Sequence, residues 1–119
     1  MAYSTDGLHA ALNGIAELGL HLSLHTGDPG TTGAAEGSGV TRQAAGWGTP
    51  ASGELDSTEA AFTIPAAAEA RTYTHFGVYT AVTGGSFLCG GALDEAEVFS
   101  ANGGVYNFTA TLVAASAAA

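Results

Sequence analysis

Glycine-centred turn signals cut this sequence into short runs. Asp28-Pro29-Gly30, Thr83-Gly84-Gly85 and Asn102-Gly103-Gly104 each combine residues that preset or permit turn dihedrals. Between the turns, apolar and polar residues mostly alternate, which is the period of a strand. Leu20, Leu22 and Leu24 alternate with His21, Ser23 and His25, so the reading is a half-buried strand with its leucines inward. In Glu59–Ile64, Ala60, Phe62 and Ile64 share one side, and Pro65 ends the run. Thr72–Thr80 is β-branched and aromatic, as strands favour. Ser86–Leu93 and Glu95–Phe99 follow. Val105–Val113 reads as the longest strand, with Tyr106, Phe108 and Leu112 on one face. Val40–Trp47 reads as another short strand, and Thr31–Gly39 and Gly48–Ser57 as loops.

One segment has a different period. Leu8, Leu12, Ile15 and Leu18 recur at helical spacing, which predicts a helix over residues 5–18. Thr5 or Asp6 supplies its cap and Gly19 its stop. With no alternation of strands and helices, a parallel α/β sheet is disfavoured. The expected fold is mainly β: an antiparallel, jelly-roll-like β-sandwich of seven or eight short strands with one N-terminal helix. Residues 1–119 are expected to form one domain, with an Ala-rich, flexible end over 114–119.

The charge balance narrows function. Eleven acids, two arginines and no lysine give a formal net charge of −9. Phosphate neutralisation needs cations, so nucleic-acid binding is not expected. Nor is attraction to an anionic membrane surface. Residues 1–6 lack a basic or apolar signal-peptide region, and the uncharged end is too short to span a bilayer, so the expected place of synthesis is a cytoplasm. The 29 large apolar residues suffice for a thin core, and Cys89, the single cysteine, has no partner for an internal disulfide. Added stability is therefore expected from a homo-oligomer or from docking on a larger surface.

No residue pattern calls for catalysis, a cofactor or a metal. His21 and His25, four strand residues apart, lie roughly 13 Å from each other, too far to share an ion unaided. The acids Glu54, Asp56, Asp94, Glu95 and Glu97 read as solvated groups. The glycines lack the lysine of a phosphate cradle. Cys89 lacks a neighbouring base and reads as a small hydrophobe. Gly90-Gly91 marks a bulge or a close backbone approach. The interface candidates are Leu8 and Leu12 on the helix face, with Trp47 and Tyr79 as aromatic anchors. A thin core claims the same side chains. A glycan-binding platform would use Trp47 and Tyr79.

Three segments together resemble a family of small tailed-phage virion structural proteins, often described as tail-fibre proteins. They are LHLSLHTGDPGTTGAAEGSG at 20–39, TRQAAGWG at 41–48 and THFGVYTAVTGGSFLCGGAL at 74–93. The resemblance extends over roughly residues 8–113. It implies a non-enzymatic, β-rich component on the particle exterior, assembled in the host cytoplasm, whose partners are major capsid or tail proteins. It carries no catalytic motif onto these residues. Within that class the expectation favours capsid decoration, since the chain shows no fibre shaft. A tail-fibre or minor tail protein touching host glycans is the alternative.

Overall fold

Ser4 starts the first element: its side chain accepts a hydrogen bond from the Gly7 amide at 3.0 Å. The cap therefore falls one residue before Thr5 and two before Asp6, the expected caps. The computed structural model describes residues 4–113, so the expected flexible end at 114–119 lies outside the described residues. Helix α1 spans Thr5–Leu18 and stops where the Gly19 amide bonds the Ile15 carbonyl. Leu12 is buried, and Ile15 and Ala16 pack on the core, so the helix lies on its own strands. Burying a leucine side chain stabilises by about 1.5–3 kcal/mol. Leu18, expected on the same face, is 59% exposed.

Among the described residues eight strands follow: β1 His21–His25, β2 Gln43–Ala44, β3 Glu54–Asp56, β4 Ala60–Ile64, β5 Arg71–Tyr79, β6 Phe87–Phe99, β7 Gly104–Phe108 and β8 Thr111–Val113. Every named pair is antiparallel. One sheet has the order β2-β1-β5-β6, and two further ladders join β3 to β8 and β4 to β7. The mainly β class and the single N-terminal helix match the sequence reading.

The two small ladders form one long ribbon. Asp56 faces Thr111 and Ala60 faces Phe108, so the first strand carries one extra residue between these pairs. Ser57 absorbs that offset. Its amide donates to the Ala110 carbonyl, while its hydroxyl accepts from the Ala110 amide, each at 2.8 Å. The segment after β2 links this ribbon to the sheet. Ala45 bonds Leu20, then Gly48 bonds Asp56 and Thr58 bonds Gly46. The hydrogen-bonded order thus runs β6-β5-β1-β2, then β3-β4, then β7-β8. The core fills the interior with Leu22, Leu24, Leu55, Phe62, Ile64, Tyr73, Phe76, Val78 and Leu112.

Several expectations are corrected. Glu54–Asp56, placed in a loop, is a strand because Glu54, Leu55 and Asp56 pair with Val113, Leu112 and Thr111. Val105–Val113 is interrupted between Phe108 and Thr111, and β6 is the longest strand. The two runs expected around Asp94 merge into β6. Tyr73 faces Glu97 and His75 faces Ala92, so Thr74 alone stands opposite residues 93–96, a bulge of four residues against one. Thr83-Gly84-Gly85 closes the β5–β6 hairpin. Asn102-Gly103-Gly104 is a turn but not a hairpin, because β7 pairs with β4. Gly103 sits at φ +79°, where a Cβ would collide with the Ile64 carbonyl oxygen.

Candidate functional site

β1 is buried on both faces, and this organises the site. Leu22 and Leu24 face the core, but Ser23 and His25 are also covered, at 1% and 0% exposure. The expectation of a half-buried strand with its leucines inward is corrected, since both faces of β1 are covered and Leu20 is exposed. The cover is the segment after β1. Asp28 accepts from the Gly30 amide, the Pro29 carbonyl accepts from Gly33 and Ala34, and Gly37 donates to the Leu24 carbonyl at 2.7 Å. Pro and Gly at the turn let the chain fold back across the strand.

Under that cover, His25 is fixed at both ring nitrogens. Nδ1 lies 2.7 Å from the Ala34 carbonyl, which only accepts, so Nδ1 carries the proton. Nε2 then accepts from the Ser23 hydroxyl at 2.7 Å. The pair has the reach of a nucleophile and its base. Both side chains are buried, so the pair is closed off from solvent in this fold. Gly77 sits against the pair, where a Cβ would come within 2.6 Å of Ser23 Oγ and 2.7 Å of His25 Nε2. Burial lowers the imidazole pKa, against the opposing pull of the Ala34 carbonyl and Glu36.

Beside His25 lies a clamp built from all three segments of the phage-family resemblance. Arg42 donates to both oxygens of Glu36, at 2.8 and 2.9 Å, in a fork-on-carboxylate arrangement. Its remaining terminal nitrogen donates to the carbonyls of Ala81 and Gly84, at 3.0 and 2.7 Å. The guanidinium also lies 3.5 Å from the centre of the Tyr79 ring. Arg42 thus ties the loop after β1 to the β5–β6 hairpin. The Arg42 hydrogen bonds hold the Glu36 carboxyl below its ordinary value and raise that of Arg42 itself. Burial, then Glu36, raises the Tyr79 phenol.

The interface candidates fall in different places. Leu12 and Tyr79 are buried in the chain's own fold, and Leu8 is half-buried. Trp47 is half-buried, packs on the core and donates from Nε1 to the Gly19 carbonyl at 2.7 Å. No aromatic platform forms from Trp47 and Tyr79, since Arg42 covers the Tyr79 ring. Cys89 is half-buried, and burial raises its thiol to about 11. Gly90 is a close backbone approach, where a Cβ would meet the Phe76 carbonyl at 2.5 Å. Among the described residues, no three His, Cys, Asp or Glu side chains converge in a metal-holding group, and no helix is long and apolar enough to cross a membrane.

Sequence reasoning missed the Glu36–Arg42 clamp. The signal was available: with only two arginines, an arginine beside a glycine-rich loop carrying one acid marks a candidate structural pair.

These features define a small β-rich structural module whose polar cluster is spent on holding loops to strands. Residues 15–116 match the family model described as Podophage GP4 fiber I protein gp80, and the chain belongs to that family. A search of curated proteins finds no match to the chain.

Proposed function

We propose that the chain is a structural module of the podophage virion exterior, built into its fibre apparatus. The family match over residues 15–116, with its fibre description, carries this reading. It shifts the balance from capsid decoration toward the fibre. The site geometry supports a structural role: the Ser23–His25 pair is sealed and Arg42 is committed to the fold. We take residues 1–119 as one domain, with the sheet and ribbon wrapped around the core as a sandwich-like body. It is non-enzymatic and needs no cofactor. Assembly occurs in the host cytoplasm, as a homo-oligomer or on a larger virion protein, where added contacts supplement a thin core.

Capsid decoration is the second reading, favoured by dimensions of 48 × 26 × 24 Å without a shaft-like repeat among the described residues. Quantitative mass spectrometry of purified virions separates the two. A handful of copies per particle is expected. Hundreds of copies would replace the fibre reading with decoration, and absence from the particle would overturn both.

A further inference from the structure

The ordered succession of strands ends at two edges that approach each other. Among the described residues β6 pairs with β5 alone, and β7 and β8 pair with β4 and β3 alone. Side chains bridge beneath the gap: the rings of Phe76 and Phe108 are 5.4 Å apart, and those of Phe99 and Tyr106 are 6.2 Å apart. The seam is thus closed by packing below, while backbone donors and acceptors along both edges lack a named strand partner among the described residues. Two cavities lie along it. One, of about 380 Å³, runs from Cys89–Ala92 to Thr111–Val113 over Leu12 and Ile15. The other, of about 500 Å³, lies between Asp94, Glu95 and Glu97 and the stretch Tyr106–Thr109.

We propose that this seam receives an extended, lysine- or arginine-bearing segment of another protein, which adds as a strand between β6 and β7–β8. Unpaired edges supply main-chain hydrogen bonds to such a segment, and alternate side chains then enter the cavities. The cavity over Leu12 and Ile15 takes an apolar side chain. The other takes a cation. The bulge at 93–96 brings Asp94 and Glu95 to the edge beside Glu97. Among the described residues no lysine or arginine is paired with these acids: the sequence has no lysine, Arg42 is bound to Glu36, and the Arg71 guanidinium reaches the Ser100 carbonyl. A second copy is a poor occupant, since it brings the same acids and a further net charge of −9. The same acids and bulge blunt the edge against self-pairing. That the partner is a virion protein rests on the function proposed above; the chemistry of the groove does not.

The test uses the full chain and two synthetic peptides, one alternating valine with lysine and one alternating valine with glutamate. Backbone amide shifts and hydrogen exchange are followed by NMR. The lysine peptide is expected to bind, to shift amides of β6, β7 and β8, and to slow their exchange. The combined variant D94N/E95Q/E97Q should weaken that binding by about ten-fold. The glutamate peptide should leave the spectrum unchanged. No binding of the lysine peptide, binding elsewhere on the surface, or equal binding by the variant overturns the proposal. So does protection of the same amides by raised protein concentration alone, which would identify a second copy as the occupant. Virion copy number does not enter these outcomes, so the two readings fail separately.

Discussion

His25 shows how a single residue ties stability to pH. Its ring is wholly covered, with Nδ1 donating to Ala34 and Nε2 accepting from Ser23. Burial lowers its pKa from 6.5, Arg42 and His75 lower it further, and Ala34 and Glu36 oppose. Above pH 6.5 the ring is neutral whether the chain is folded or unfolded, so it costs nothing. As pH falls below that value, the unfolded chain takes up a proton that the folded chain resists, and stability declines through the folded pKa. Glu36 acts in a lower window. Arg42 holds its carboxyl below 4.5, so its contribution persists above that value and is lost as pH falls through the folded pKa. Urea midpoints measured between about pH 5 and pH 7.5 should therefore fall toward acid for the native chain. The fall should be shallower in His25→Gln, whatever that substitution costs overall. Equal slopes in the two proteins would show that His25 is not the group responsible.

At the scale of elements, Ser57 holds the long ribbon together across its extra residue. Its hydroxyl accepts from the buried Ala110 amide and donates to the Thr58 carbonyl. Ser57→Ala leaves the amide without a partner, which costs about 1–3 kcal/mol. Chemical denaturation should show that loss, whereas Thr63→Ala on the exposed face of β4 should change stability by no more than about 0.5 kcal/mol. A neutral Ser57→Ala would mean the ribbon closes without the hydroxyl. The contrast also explains what the sequence can show. β4 is legible because Ala60, Phe62 and Ile64 are buried and Ala61 and Thr63 exposed, the alternation that a one-sided strand requires. α1 is legible for the same kind of reason, in its own period. β3 offers one apolar residue, Leu55, and owes its extended form to partners more than fifty residues away. The burial of Ser23 and His25 is hidden for another reason, because the loop that covers them reads as surface from its composition. The Glu36–Arg42 clamp joins the loop to carbonyls at 81 and 84, which no local pattern announces.

Across the whole molecule, hydrogen bonding is graded. β1 and β5 lie inside the sheet with a partner on each side, and Leu22, Ser23, Leu24, Phe76, Gly77 and Val78 are all buried. β6 and the ribbon's outer strand lie at the seam with one partner each, and β6 loses even that register across residues 93–96. Local opening costs least where backbone groups are exposed and few apolar side chains are buried. The charge distribution reinforces this gradient. Asp94, Glu95 and Glu97 crowd one edge, in a chain with no lysine and with Arg42 committed to Glu36. Dilute protein examined by native-state hydrogen exchange should therefore protect amides of residues 22–24 and 76–78 most strongly. Amides of residues 94–96 should exchange fastest among the strands. Raising salt should slow opening at this edge more than in the sheet interior, because exposed like charges are screened within about 10 Å at 0.1 M ionic strength. Equal protection across β5 and residues 94–96 would contradict an open seam and mean that both edges are already covered in solution.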